Sequence, residues 1–275
     1  MTADTAFVLG GGGRWGAVEV GMLQALLDAE IQPDLVLGTS IGAINGAMFA
    51  ADPSRAGVAR LNELWRQAST AEAFGGSVWS RARQVARLRP ALIDARPLRR
   101  LLTESLPVDQ ISDLRLAFQC VAASIERAAE HWFTEGDLVS ALVASAAVPG
   151  LFPPVPINGE HFYDGGLVNS VPLDRAVRLG ATRIYVLQVG RLEQPLRAPE
   201  RIHEAALVAF EIARRHRFAT HRDELPDGVE LHVLPTGNEL AFDDARQLRF
   251  SDLGDTAQLI GVAHDATASY LADRA

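Results

Sequence analysis

The sequence predicts an α/β fold in which a mostly parallel sheet is flanked by helices on both faces. Two apolar runs of strand length, at residues 5–9 and 35–37, are each followed by glycines and then by a segment with the apolar spacing of a helix. A third run, at residues 183–189, is largely apolar, as strands are when both faces of a parallel sheet are covered. Strands that alternate with helices in this way favour a doubly wound sheet.

The first strand runs directly into a glycine-rich loop, which is followed by a helix. The loop contains Gly10, Gly11, Gly12, Gly13 and Gly16. Because glycines have no side chains, successive backbone N–H groups in such a loop can converge on one anion. We therefore expect the N–H groups of Gly11, Gly12 and Gly13 to form an oxyanion hole, with Gly16 as a supporting residue of the motif.

The second strand ends at a serine in a sharp turn before a helix. The turn reads Gly38-Thr39-Ser40-Ile41-Gly42, and the residues after it have the spacing of a buried helix. A serine in such a turn is held in a strained conformation that projects its hydroxyl away from the sheet, and the flanking glycines leave room for backbone and substrate. The helix N-terminus also favours the negative charge that develops when a serine attacks an ester. Ser40 is the candidate nucleophile.

An arginine-rich segment follows within a helical pattern that extends over residues 53–106. Seven arginines and one acidic residue lie between residues 78 and 100. A basic stretch with interspersed apolar residues is typical of a helix that rests on a membrane surface or covers an active site, and equally of a solvated helix face. The sequence leaves these three interpretations open.

The middle of the chain predicts a hairpin, a helix and a rigid loop. Residues 111–124 and 130–134 have strand patterns separated by a charged turn, and residues 137–147 follow as a helix. The prolines of segment 148–155 exclude a regular helix or an inner strand. We expect this segment to form an apolar loop that serves as a pocket wall.

A short strand then ends in an acidic turn, Asp164-Gly165-Gly166. Asp164 is the candidate general base. Because the ordinary pKa of aspartate is only about 3.9, this role requires a site that excludes water and holds the carboxylate against the Ser40 hydroxyl. Gly165 and Gly166 permit that close approach.

The remaining chain continues the alternation of helices and strands. The predicted elements are a helix at 171–179, a strand at 183–189, a helix at 199–221, a strand at 229–234 and a helix at 253–271. The chain has no internal repeat and no Gly/Ser linker. We therefore expect one domain over residues 1–275, with the motifs within residues 5–190 and a C-terminal part, residues 191–275, that completes the sheet and its helices.

Composition excludes several classes of function. The net charge of −8 and the pI near 5.4 argue against nucleic acid as a partner. All 26 basic residues are arginine, so a Schiff-base lysine and a P-loop lysine are excluded. A single cysteine, Cys120, excludes a disulfide framework and a multi-cysteine metal site. The absence of a signal-peptide pattern and of a long apolar span predicts a cytoplasmic protein.

In the type and order of these motifs, the sequence resembles the patatin-like phospholipases. That family has a glycine-rich oxyanion loop, a Gly-x-Ser-x-Gly elbow and an Asp-Gly-Gly or Asp-Gly-Ala motif. The matching stretches here are residues 10–16, 38–42 and 164–166, and segments 144–154 and 171–189 are also similar. The resemblance implies a patatin-like three-layer sandwich and a lipid acyl hydrolase, with Ser40 as nucleophile, Asp164 as general base, and no cofactor or metal.

The resemblance also implies the substrates, which are phospholipids, lysophospholipids or other fatty-acyl esters. The activity would be that of a phospholipase A or lysophospholipase acting through an acyl-enzyme. Independently of the resemblance, the arginine-rich residues 78–100 are the candidate site of peripheral membrane contact. One position departs from the family. Its loop usually has arginine before the last glycine, whereas here Trp15 stands there and Arg14 precedes it.

Three other interpretations remain open at the level of sequence. The glycine loop fits the dinucleotide fingerprint, but Asp34 precedes the second strand, whereas such a site needs an acidic residue at the far end of it. A Ser-Asp-His triad would need a histidine from the C-terminal half. The candidates are His203, His216, His221, His232 and His264. The third interpretation is a non-catalytic protein of the same fold that binds a lipid or a partner.

Overall fold

The computed structural model describes residues 4–70, 93–189, 196–199, 202–237 and 256–274. Within these ranges eight strands form one sheet. They are β1 Thr5–Leu9, β2 Leu35–Thr39, β3 Ala117–Ser124, β4 Ala129–Phe133, β5 Val155–Ile157, β6 Glu160–Asp164, β7 Arg183–Leu187 and β8 Glu230–Val233. The strand order is β5-β6-β3-β2-β1-β7-β8, and β4 pairs with β3. Five neighbouring strands run parallel to one another, namely β3, β2, β1, β7 and β8. The other three, β4, β5 and β6, form antiparallel pairs.

Helices cover both faces of the sheet, as predicted. In the described part of the chain they are α1 Ala17–Asp28, α2 Ile41–Ala51, α3 Arg55–Thr70, α4 Arg96–Ser105, α5 Leu138–Ser145, α6 Gly166–Asn169, α7 Leu173–Arg178, α8 Ile202–Asp223 and α9 Thr256–Ala272. Because successive strand residues point to opposite faces, β1 contributes to two cores. Phe7 and Leu9 pack with α1 to α5 and α9, whereas Ala6 and Val8 pack with α7 and α8.

The C-terminal elements join the same sheet and helix layer. β8 pairs in parallel with β7. α9 packs along α1, and a side chain at Gly21 would lie within 2.1 Å of the Ile260 carbonyl oxygen. That residues 1–275 form a single domain stays a prediction.

Most predicted elements are confirmed, although β5 and the short helix α6 were not predicted and one strand begins later than expected. The strand predicted over residues 111–124 begins only at Ala117, because the chain first makes a 3-10 turn and then passes the end of α2. There the N–H groups of Arg115 and Leu116 both donate to the Ala50 carbonyl. The proline-rich segment forms no strand before β5 begins at Val155. Pro156 of β5 lies at the edge of the sheet.

Part of the arginine-rich segment lies within the described residues. α4 buries Leu98 and Leu102 and exposes its three arginines. Of residues 78–100, for which membrane contact is predicted, residues 78–92 lie outside the described residues. In the part of the chain that the structure describes, no helix is both long and apolar enough to cross a membrane.

Strand register brings the carboxyl ends of β2 and β6 together. β2 runs parallel to the first part of β3 and ends where Thr39 faces Val121. β6 runs antiparallel to the last part of β3 and ends where Asp164 faces Ala122. Because β4 occupies the opposite edge of β3 along this length, β2 and β6 share one edge and meet end to end. Ser40, the residue after β2, is therefore placed beside Asp164, the last residue of β6.

Candidate active site

Ser40 forms a strained turn between β2 and α2. Its backbone has φ 56° and ψ −123°, a conformation that residues with a side chain rarely adopt. The glycines on each side are required by close backbone contacts, as the sequence predicted. A Cβ atom at Gly38 would lie 2.4 Å from Ala43 Cα, and one at Gly42 would lie 2.5 Å from the Leu9 carbonyl oxygen. The turn thus has the geometry of a nucleophile elbow.

The Ser40 hydroxyl donates a hydrogen bond to Asp164. Ser40 Oγ lies 2.5 Å from Asp164 Oδ2, and the other carboxylate oxygen, Oδ1, accepts the Gly166 N–H at 2.7 Å. Both side chains are buried, and Asp164 is only 2% exposed. Burial raises the pKa of Asp164 to about 6, although the bonds from Ser40 and Gly166 lower it. A carboxylate with this pKa is a stronger base than an exposed aspartate and is still mainly ionised at pH 7.

Ser145, at the end of α5, connects the two halves of this pair. Its Oγ accepts the Ser40 N–H at 2.9 Å and donates to the Val121 carbonyl at 2.7 Å. Its own carbonyl accepts the Gly165 N–H at 3.1 Å. One fully buried residue therefore holds the backbone of the elbow and the backbone next to Asp164.

We expect Ser145→Ala to lower kcat about 100-fold while leaving KM nearly unchanged, because the elbow N–H and the Val121 carbonyl lose their shared partner and Ser40 shifts relative to Asp164. The same loss should reduce the free energy of unfolding by about 1–3 kcal/mol. Steady-state kinetics and urea unfolding measure both effects. Ser140→Ala, on the same helix but at its surface, is the matched control. A kcat equal to that of the unmodified protein would show that Ser145 does not position the elbow.

The glycine loop approaches Ser40 from β1. A Cβ atom at Gly11 would lie 3.4 Å from Ser40 Cβ, so the absence of a side chain there keeps the space beside the nucleophile open. The expectation of three N–H donors needs a correction, because the Gly11 N–H already donates to the Ser170 carbonyl at 2.9 Å. Among the described residues, the N–H groups of Gly12 and Gly13 have no acceptor. These two groups are the candidate oxyanion donors.

Arg14 adds a buried positive charge to the same loop. Its side chain is 3% exposed, and its guanidinium lies over the Trp15 ring at 4.5 Å. Among the described residues, Nε and Nη1 of Arg14 have no hydrogen-bond partner, and the side chain forms no ion pair. A buried cation without a counterion favours the binding of an anion nearby.

A polar network beneath the loop fixes its position. Asn45 of α2 donates through Nδ2 to the Gly16 carbonyl at 2.9 Å and to Glu19 Oε2 at 2.7 Å. Its Oδ1 accepts the indole N–H of Trp65 at 3.0 Å. Glu19 is fully buried, and this burial raises its pKa well above the usual range, which favours the neutral acid. The network ties α1, α2, α3 and the glycine loop together.

The motifs that the sequence identifies do not include Ser145, Asn45 or Glu19, although each of these residues carries a recognisable signal. Each is a polar residue within a largely apolar helical stretch. Buried polar side chains almost always form hydrogen bonds. The pattern therefore indicates that these residues have partners, while the identity of the partners depends on the fold.

Histidines are absent from this site as far as the structure describes the chain. Ser40 Oγ and Asp164 are bonded to each other and to Gly166, with no histidine among their partners. His161 lies in β6 and faces Glu126 at the surface. Three of the candidate histidines pair with acidic residues elsewhere: His221 with Asp174, His232 with Glu230 and His264 with Asp28. The side chain of His203 lies outside the described residues.

The features of a dinucleotide or metal site are not found among the described residues. Asp34 lies before β2, where its carboxylate accepts the N–H groups of Asp4 and Thr5. It is thus at the opposite end of β2 from Ser40 and fixes the start of β1. In the described ranges, no group of three or more His, Cys, Asp or Glu side chains is placed to hold a metal ion.

The sequence is similar to those of known proteins. A family model described as Patatin-like phospholipase matches residues 7–177, more than half of the chain. The chain is 30% identical over 190 residues to the lysophospholipase nte1 of Aspergillus terreus, covering 69% of this chain and 12% of that protein. It is 29% identical over 191 residues to patatin-like phospholipase domain-containing protein 7 of Mus musculus, covering 69% of this chain and 14% of that protein. The chain thus spans about an eighth of the length of these relatives.

Among solved structures, the chain is similar to VipD from Legionella pneumophila. The TM-score is 0.48 at 14% sequence identity, and the match covers 99% of this chain and 67% of VipD.

Proposed function

Since the chain belongs to the patatin-like phospholipase family, we propose that it hydrolyses fatty-acyl esters of phospholipids or lysophospholipids through a Ser40–Asp164 dyad. The observation that carries this proposal is the 2.5 Å hydrogen bond from Ser40 Oγ to the buried Asp164 carboxylate. Relatives named lysophospholipases at about 30% identity support a lipid ester as substrate. Among these esters, we propose lysophospholipids as the first substrates to test.

In the proposed reaction, Ser40 Oγ attacks the ester carbonyl carbon while its proton passes to Asp164. The carbonyl oxygen becomes an oxyanion, which the N–H groups of Gly12 and Gly13 stabilise as donors fixed in advance by the loop. The intermediate then expels the alcohol, which takes the proton from Asp164 and leaves an acyl-Ser40 ester. Water attacks this ester and gives its proton to Asp164. Asp164 then returns this proton to Ser40 Oγ as the C–O bond of the acyl-enzyme breaks, which releases the fatty acid and restores the Ser40 hydroxyl.

An alkyl fluorophosphonate tests this assignment directly, because it reacts only with an activated serine. The probe is applied with and without detergent micelles, and the adduct is located by peptide mass mapping. We expect a single adduct on the Ser40 peptide, and far less of it in the Asp164→Asn variant. An unlabelled Ser40 in a folded protein, even with micelles, would instead indicate a non-catalytic lipid-binding protein.

We expect kcat/KM to rise with pH through an apparent pKa of about 6, the value to which burial raises Asp164. The reason is that only the ionised carboxylate can accept the Ser40 proton, so activity is lost as pH falls below this value. The measurement is the pH profile of kcat/KM for a soluble ester between pH 4.5 and pH 8, at constant ionic strength. A profile that is flat across this range would exclude Asp164 as the base.

A further inference from the structure

A buried serine hydroxyl next to the glycine loop has no hydrogen-bond partner among the described residues. It belongs to Ser170, which directly follows α6 and is only 4% exposed. Burial of a hydroxyl without a partner costs free energy, and the large majority of buried polar side-chain atoms in proteins are paired. The Ser170 hydroxyl is therefore a candidate to bind a ligand.

The Ser170 hydroxyl lies close to the nucleophile. A Cβ atom at Gly11 would lie 3.3 Å from Ser170 Oγ and 3.4 Å from Ser40 Cβ, so both serines border the same space beside the glycine loop. When Ser40 attacks an ester, the oxygen of the ester carbonyl turns towards this loop, where Gly12 and Gly13 are the candidate donors. A hydroxyl that borders this space is placed to reach the same oxygen, since an O–H···O bond spans about 2.7 Å.

Two hydrogen bonds fix the backbone of Ser170 between the elbow and the glycine loop. Thr39 Oγ1, from the residue before Ser40, donates to the Asn169 carbonyl at 2.8 Å. The Gly11 N–H donates to the Ser170 carbonyl at 2.9 Å. A donor whose position is set before the substrate binds needs no reorganisation during the reaction, and such donors contribute most to the stabilisation of an oxyanion.

We propose that Ser170 is a further catalytic residue, whose hydroxyl donates a hydrogen bond to the oxyanion beside those from Gly12 and Gly13. The inference rests on the proposed function, because it takes the ligand to be the ester that Ser40 attacks. The Ser170 carbonyl engages the Gly11 N–H and so removes it from the oxyanion hole, while the side chain of the same residue supplies a donor at the same point of the loop. The hydroxyl keeps its proton, because it stabilises charge and transfers nothing.

Ser170→Ala should lower kcat/KM for p-nitrophenyl butyrate about 10- to 100-fold, the scale of one hydrogen bond to a charged oxygen. The affinity for an alkyl trifluoromethyl ketone should fall by a similar factor. The reason is that Ser40 converts this inhibitor to a hemiketal anion, whose oxygen lies where the oxyanion forms. Urea unfolding should show no loss of stability, because the hydroxyl has no partner to lose in the free protein.

Ser124→Ala is the matched control for this experiment. Ser124 is also buried, but its hydroxyl bonds Glu160 and not a group of the candidate site. This control should keep the kcat/KM and the inhibitor affinity of the unmodified protein.

The outcomes separate this inference from the proposed function. If the unmodified protein neither hydrolyses the ester nor binds the ketone, the proposed function fails and the inference fails with it. If the unmodified protein is active and Ser170→Ala keeps its kcat/KM, the inference alone is overturned. A fall in kcat with unchanged kcat/KM would also overturn it, since the hydroxyl would then act only on deacylation. A Ser170→Ala protein that loses activity and unfolds at a lower urea concentration would show that the hydroxyl has a structural role instead.

Discussion

Ser40→Ala is expected to lower the release of fatty acid from lysophosphatidylcholine by about 10⁴-fold or more, the scale found when a serine hydrolase loses its nucleophile. The variant retains the glycine loop and Asp164 but has no atom that can form the acyl-enzyme. It also removes the 2.5 Å bond that Asp164 Oδ2 accepts. Because that bond lowers the pKa of Asp164, the carboxyl should titrate at still higher pH in the variant.

The matched control for this variant is Ser124→Ala. Ser124 lies in β3 and is buried, as Ser40 is. Its hydroxyl donates a hydrogen bond to Glu160, at the end of the β3–β6 pairing that is farther from Asp164. We expect this control to release fatty acid at the rate of the unmodified protein. The effect of Ser40→Ala would then be due to loss of the nucleophile and not to loss of a buried hydroxyl. Substantial hydrolysis by a pure, folded Ser40→Ala protein would mean that another residue is the nucleophile.

The motifs of the candidate site were predictable because each is encoded in a few neighbouring residues. The turn at Ser40 needs glycines at positions 38 and 42, and the contacts at 2.4 and 2.5 Å show why no other residue fits. The direction of β6 was not predictable from such short patterns. Its antiparallel pairing with β3 depends on residues about 40 positions apart in the chain, and this pairing is what places Asp164 at the end of β2.

The glycine loop shows a similar limit of prediction from sequence. Three glycines in sequence predict N–H groups free to converge on an anion, and local sequence contains no sign that one is already engaged. The Ser170 carbonyl that occupies the Gly11 N–H comes from a turn some 160 residues later. Likewise, the buried positions of Asn45 and Ser145 follow from apolar helices, but their partners Gly16 and Val121 are set by how those helices pack.

Asp164→Asn is expected to abolish most activity and yet make the protein more stable at neutral pH. Loss of the general base should lower kcat about 10²- to 10⁴-fold. The side chain is almost isosteric, its oxygen can still accept the Gly166 N–H, and its amide can donate to Ser40 Oγ. In the unmodified protein, burial raises the Asp164 pKa from 3.8 to about 6. Keeping this group ionised at pH 8 therefore costs about 3 kcal/mol of folding free energy, which a neutral amide avoids.

The pH dependence of this stabilisation follows from the direction of the pKa change. Because the folded-state pKa is the higher one, the protonated carboxyl favours the folded state below about pH 4, and that contribution is lost as pH rises through about 6. The stability advantage of Asp164→Asn, measured by urea unfolding, should thus be about twice as large at pH 8 as at pH 5. Asp113→Asn, at an exposed position, controls for the loss of one negative charge from an acidic chain. If the variant is less stable than the unmodified protein at pH 8, the ionised Asp164 side chain stabilises the fold. Burial would then not raise the pKa of Asp164, which is the property that makes it a base.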